Sequence, residues 1–523
     1  MFRAKLFTMP NMSTDSLFQL IHSLEKSEKR NFKLYIKRNS SKNDLKIITL
    51  FDALDKQQSY DETALIKKNP SLSKQQLANL KSYLYKQILI SLRLLQSNSN
   101  PEMQFHEQMD NARILYKKGL YHQSLRILAN LKDASRKFKQ EPDLIQILNE
   151  EKKIESLHIT RSLENRAAEL SCEINKSLED YGRETMLSNL SLQLYGWYIK
   201  NGIARNECDE NEVKAFLKNH LSVNSFQPEG FYEKMYYAQS LSWYAYIRQD
   251  FLMYYRYTRK WVDIFSEYPE MLEIETGNYI KGMHNLLNAH FNLRNFSGFA
   301  ETLKEFEDFN NSEFVTHNDN IRMQMFVYLY TAKINKHFLE GTFDEGLTMI
   351  PTITKRLDEY ELFLDKHRTL VFYYKIASLY FGAGDYGNTI NFLNKIINWK
   401  VNLRSDLQCY ARLLHLIAHY ELANYSLLEY LIKSVYRFMA KMQNLSKVEE
   451  AMFAFLRRAF KVSPREIQPE LEKLLTELRT MESNKFETRA FAYLDIISWL
   501  ESKVNHQPID TIIRTKFLEN RRF

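Results

Sequence analysis

One kind of corner recurs along this chain and leaves it few folds to choose from. Its clearest copy is Gly384-Asp385-Tyr386, where two apolar helical patterns meet, one ending at Phe381 and one running on through Ile390 and Leu393. A glycine tolerates the positive φ that ends a helix, and the aromatic two residues later packs between the two helices. Further corners are Lys118-Gly119-Leu120-Tyr121, Gln249-Asp250-Phe251, Arg294-Asn295-Phe296, Glu340-Gly341-Thr342-Phe343 and Ala423-Asn424-Tyr425. From Phe251 onward the corner aromatics stand 39 to 47 residues apart. The longer interval after Tyr121 has room for three units, with weaker corners near Leu163 and at Asn201-Gly202-Ile203. Such a period predicts stacked helix pairs, because one pair cannot bury its apolar face alone.

Composition agrees. With 13 glycines and 10 prolines in 523 residues, the chain falls well below ordinary usage of about 7% and 5%. That is too few for the turns of a large β or α/β chain. Cys172, Cys208 and Cys409 are scattered without a CxxC spacing, which suits a reducing compartment and predicts packed thiols. No apolar run resembles a signal peptide or reaches the roughly 18 residues of a membrane span, so a cytoplasmic location is expected.

Charge separates the chain into two parts. Residues 1–100 hold 17 Lys and Arg against 8 Asp and Glu, whereas the remaining 423 residues sum to −1. We therefore expect a flexible stretch over 1–12 and a basic helical head over 13–97. A helical array over 102–460 and a helical cap over 461–523 complete the expected organisation. Within the head, Ser73 and Gln76 form a capping box that opens a long helix through Leu77, Leu84, Ile88 and Leu92. The polar run Gln96–Pro101 is the strongest boundary signal. Pro464 opens the cap, whose later helix carries Phe491, Leu494, Ile497 and Trp499.

The corner units resemble tetratricopeptide repeats. Around Gly384 the likeness rests on Tyr373, Ile376, Ala377, Tyr380, Gly384, Tyr386 and Thr389. Around Gly119 it rests on Ala112, Leu115, Gly119, Tyr121 and Ser124, and around Gly341 on Tyr330, Gly341, Phe343 and Gly346. The other corners keep the aromatic but put Phe299 and Leu428 where the family has a small residue, and the units exceed the family's period of about 34. Over residues 102–460 the resemblance implies an all-α fold, a right-handed α-solenoid of stacked antiparallel helix pairs preceded by the small basic head. It also implies that Val371, Tyr374, Ser378 and Phe381 face the groove.

No pattern of residues nominates a catalytic centre. Gly382-Ala383-Gly384 is a helix corner and not a phosphate loop. His415 and His419 share one helix face at a metal-chelating spacing, but Leu416 stands where a zincin-like motif needs glutamate. The acidic Asp209-Glu210-Asn211-Glu212 reads as a solvated helix start. Tyr236-Tyr237, Tyr244-Ala245-Tyr246 and Tyr254-Tyr255-Arg256-Tyr257 hold more aromatics than one helix face can bury, a sign of a binding face.

The expectation is a non-enzymatic scaffold or adaptor that binds a protein or peptide, without cofactor or metal. The alternative is a nucleic-acid-binding regulator that uses Lys26, Lys29, Arg30, Lys33, Lys37 and Arg38 on the head, with the array sensing a partner.

Overall fold

In the computed structural model all six corners turn on a left-handed residue. The φ angle is 79° at Gly119, 58° at Gln249, 51° at Arg294, 68° at Gly341, 78° at Gly384 and 55° at Ala423. At Gly384 its own N–H donates to the Phe381 carbonyl at 3.1 Å, and that of Asp385 donates to Tyr380 at 2.9 Å. This pair satisfies the last carbonyls of the helix, and the same pairing recurs at Gln249–Asp250, Arg294–Asn295 and Ala423–Asn424. The side chains of Asp250, Asn295 and Asp385 then accept the N–H groups of Met253, Gly298 and Asn388. Two adjacent residues thus end one helix and begin the next. The small residues have a partner role as well. Ser124 donates to the Ala112 carbonyl at 2.8 Å, and Thr389 to the Ala377 carbonyl at 3.3 Å, each linking two helices across a corner.

The structure describes residues 15–38, 44–70, 72, 74–96, 100–158, 165–221, 226–316, 318–361, 363–399, 404–442, 445–459, 466–487 and 495–520. The expected flexible stretch 1–12, Ser73 of the capping box, the weak corner near Leu163, Pro464, Phe491 and Leu494 lie outside them. The described residues contain no strand. The contacts divide the chain into two compact units, 1–177 and 178–523, so the expected boundary at 97–101 falls inside the first.

The first unit holds α1 (Ser16–Ser23), α2 (Lys26–Arg38), α3 (Asp44–Asp55), α4 (Glu62–Lys68), α5 (Lys74–Gln96), α6 (Pro101–Lys117), α7 (Tyr121–Lys137), α8 (Glu141–Leu157) and the start of α9 (Arg166–Asn201). Leu17, Ile21, Phe32, Leu50, Phe51, Leu84 and Ile88 form the core of its head. Further on, Lys132 is buried with two carboxylates, Glu151 at 2.7 Å and Glu173 at 3.1 Å, and Arg166 binds Glu151 at 2.8 Å.

The second unit continues with α10 (Glu207–His220), α11 (Gly230–Ile247), α12 (Phe251–Glu267), α13 (Met271–Ile274), α14 (Thr276–Asn292), α15 (Phe296–Phe309), α16 (Glu313–Thr316) and α17 (Asp319–Glu340). Then come α18 (Phe343–Leu347), α19 (Ile350–Glu359), α20 (Lys366–Gly382), α21 (Tyr386–Ile397), α22 (Ser405–Glu421) and α23 (Tyr425–Lys441). The chain closes with α24 (Lys447–Ala459), α25 (Ile467–Met481), α26 (Ile496–Val504) and α27 (Ile509–Asn520). Helices pack against their sequence neighbours, α11 on α12, α14 on α15, α20 on α21 and α22 on α23. First helices also pack on first helices, α14 on α17, α17 on α20 and α20 on α22. An inner row therefore forms beside the row of second helices.

Described residues of the segment expected to cap the array reach three of its corners: the Lys485 carbonyl accepts from Gln249, Arg514 donates to the Glu340 carbonyl, and Phe517 meets Phe296 edge-on. Two expectations need correcting. Asp209 and Glu210 are buried rather than solvated, and Glu210 binds Lys214, Arg248 and Lys485 at 3.0, 3.0 and 2.7 Å. Of the three thiols only Cys409 is packed; Cys172 and Cys208 are exposed.

Candidate functional site

The inner row encloses a cavity of about 510 Å³ within the second unit. Its wall is built from α9, α11, α14, α17 and α20, with Ile509 and Ile513 of α27 on one side. On α14 the lining residues Lys281, His284, Asn285, Asn288 and Asn292 recur at helical spacing, so they form one polar stripe. Asn335 continues it on α17 and Lys375 on α20. Aromatics line the cavity as well, among them Tyr195, Tyr198, Trp243, Tyr246 and Tyr254. All four residues expected to face a groove, Val371, Tyr374, Ser378 and Phe381, line this cavity. Only Val371 and Ser378 are half-exposed, however, while Tyr374 and Phe381 are buried in the surrounding core.

A continuous chain of polar contacts crosses the wall. Lys375 Nζ donates to Asn335 Oδ1 at 2.5 Å, Asn335 Nδ2 to Asn288 Oδ1 at 3.4 Å, and Asn288 Nδ2 to His284 Nε2 at 3.0 Å. The His284 ring stacks on Tyr328 with centroids 4.3 Å apart, and the Tyr328 hydroxyl accepts from Arg368 Nη2 at 3.4 Å. Lys281 Nζ lies 4.6 Å from the ring centre of Tyr195 and 5.6 Å from that of Trp243. Ring faces attract a cation but leave its charge uncompensated.

The charge balance sets this cavity apart. Arg368 has Asp365 at 3.3 Å, Arg404 has Asp406 at 2.9 Å, and Arg294 has Asp495 at 3.9 Å. Lys281 and Lys375 have no carboxylate partner among the described residues. Burial pushes both ammonium groups down to about 8, with Arg368 adding repulsion at Lys281. Burial, then the charges of Lys375, Arg368 and Lys281, depress His284 to about 3. This imidazole is neutral at physiological pH, and accepting from Asn288 at Nε2 puts its proton on Nδ1. The site thus holds two surplus positive charges in low-dielectric surroundings, a costly arrangement without a counter-charge.

The other candidates are placed elsewhere. On the head, Lys29 binds Asp55 at 2.7 Å and Lys33 binds Asp52 at 2.6 Å, so two of the six basic candidates serve the packing of α2 on α3. Lys26, Arg30, Lys37 and Arg38 are exposed. Lys81 of α5 is turned onto Glu62 at 2.5 Å. His415 and His419 are buried with ring centroids 4.5 Å apart, and His419 Nδ1 is engaged by Asn424 Nδ2 at 3.1 Å. No third metal-binding side chain joins them among the described residues.

Sequence reasoning missed Lys281, His284, Asn288, Asn335, Arg368 and Lys375. The signal available was the polar stripe on α14, which falls on the face a packed helix would fill with apolar residues. No protein-family model matches this chain, and no curated protein sequence matches it significantly. The fold is that of an all-α protein with helices packed in neighbouring pairs, an arrangement consistent with a helical repeat. Among the described residues no helix is long and apolar enough to cross a membrane.

Proposed function

We propose that residues 178–523 form a right-handed, tetratricopeptide-like solenoid that acts without enzymatic activity as a cytoplasmic adaptor. It takes a peptide segment of a partner protein into the cavity along its inner helices. The observation that carries this reading is the cavity itself, walled by successive first helices and about as large as pockets that bury small ligands. Asn288, Asn292 and Asn335 support a peptide occupant, since a carboxamide offers a donor and an acceptor to match a peptide unit.

The test fills the cavity without touching the core. Val371 is half-exposed and lines it, so Val371→Trp occupies space there. Affinity capture with wild type and with this variant is compared by quantitative mass spectrometry. We expect a partner that wild type retains and Val371→Trp loses, at unchanged helicity and thermal midpoint. Equal capture by both proteins overturns the assignment of the cavity as the binding site.

A further inference from the structure

We propose that the cavity is a dianion site, and that its ligand carries a phosphate monoester group held by the cations of its wall, Lys281 and Lys375 among them. The inference rests on reading the cavity as the binding site and specifies the chemistry of what enters it. Charge counting leads to a dianion. Each arginine on the wall has an aspartate, whereas the two lysines have only an amide oxygen and aromatic faces. Surplus charge of two is matched by a group that carries close to two negative charges at neutral pH and three acceptor oxygens, which describes a phosphate monoester and not a single carboxylate.

Hydrogen-bonding groups for the remaining oxygens are at hand. Arg368 stands close to Lys281, and Asn335, already bonded to Lys375, is linked through Asn288 to His284. The aromatic side chains of the wall suit the body of a ligand, or the chain flanking a phosphorylated side chain. The lysines are not what holds the fold together. A structural lysine in this protein looks like Lys132, which is buried against two carboxylates. Half-buried cations without a carboxylate partner instead cost stability, a cost that an anionic ligand group offsets.

The experiment uses the full chain and four probes at matched ionic strength, pH 7.5. They are phenyl phosphate, its monomethyl ester, a blocked pentapeptide Ala-Ala-phosphoserine-Ala-Ala, and the same peptide unphosphorylated. Thermal midpoints and calorimetric affinities are measured for wild type, Lys281→Met and Lys375→Met. We expect phenyl phosphate to raise the wild-type midpoint and bind at least about tenfold more tightly than the monoanionic ester, with each lysine variant losing about tenfold or more. Without ligand, the variants should melt no lower than wild type, since each removes an uncompensated charge.

A second readout comes from protons. The charged and titratable groups near the two lysines are Arg368, His284, Tyr195, Tyr328 and Asp365; burial holds His284 at about 3 and Tyr195 at about 12, both far from pH 8. Seating a dianion should therefore draw protons onto Lys281 and Lys375, seen as net uptake near pH 8 when calorimetry is repeated in buffers of different ionisation enthalpy. Equal response to ester and diester, or equal response of wild type and lysine variants, overturns the dianion site. Binding of the unphosphorylated peptide as tightly as the phosphorylated one overturns it while leaving the peptide reading intact. Binding of phenyl phosphate alone, with neither peptide retained, supports the dianion site and overturns the peptide reading.

Discussion

Burial at the cavity wall writes itself into the response to pH. His284 keeps its neutral form down to about 3 and His367 down to about 4, in both cases chiefly because burial opposes the charged imidazole. An unfolded chain protonates the same rings near 6.5. Between these limits the unfolded state binds more protons, so stability present above pH 6.5 is lost as pH falls toward 4. We expect thermal midpoints to drop over that interval and His284→Gln to make the drop shallower. The lysines act in the opposite range. Held at about 8 when folded and near 10.5 when unfolded, they make stability rise as pH increases from 8 to 10. A midpoint that is flat across both intervals contradicts the burial of these groups. Tyr374 shows the same burial in another form: a Tyr374→Ala change removes a ring packed in the main core, so it should destabilise by about 3–5 kcal/mol instead of acting on binding alone.

At the level of elements, the corners separate backbone cost from packing cost. Gly384 has φ 78° and open space where a Cβ would go, so Gly384→Val meets only the left-handed strain, about 1–2 kcal/mol. Gly341 has a similar φ, but a Cβ there would come within 2.6 Å of the Asp510 carbonyl and 2.8 Å of the Arg514 N–H on α27. Gly341→Val should therefore cost more than Gly384→Val and raise hydrogen exchange in α27, whereas Gly384→Val should leave α27 protected. Ala423 tests the reverse change. It is an exposed alanine at φ 55°; Ala423→Gly relieves the strain and loses little packing, and chemical denaturation should show a gain of up to about 1 kcal/mol after the entropy of the freed glycine is counted.

Across the whole second unit, stability depends on contacts between residues far apart in sequence. Glu210 of α10 is the clearest hub, joined to Lys214 on its own helix, Arg248 at a corner and Lys485 after α25. Burial alone would raise its carboxyl, but these three cations outweigh that and hold it at about 2. Its contribution is therefore present above pH 4.5 and is lost only as pH falls toward 2. Glu210→Gln leaves three donors around a neutral amide and should cost roughly 2–3 kcal/mol in urea unfolding at pH 7. A cost within error of zero would mean that the C-terminal segment is held by its apolar contacts alone.

The corners were legible because their chemistry is local. At Gln249, Arg294 and Gly384 a residue at positive φ, an Asp or Asn that caps the next helix and an aromatic after it lie within three positions, and helix ends follow from such short-range hydrogen bonds. For the same reason the helical character of the chain could be read in advance. The dianion cavity could not. Lys281 and Lys375 belong to different helix pairs, and each alone reads as one more solvated lysine in a chain with 72 Lys and Arg. Glu210 likewise reads as an ordinary acidic helix start until Arg248 and Lys485 arrive beside it. A sequence determines the spacing of side chains along a helix, but exposure and charge balance are properties of the neighbours that stacking brings in. Only the tertiary structure decided that Lys281 and Lys375 would line one cavity without a carboxylate partner of their own among the described residues.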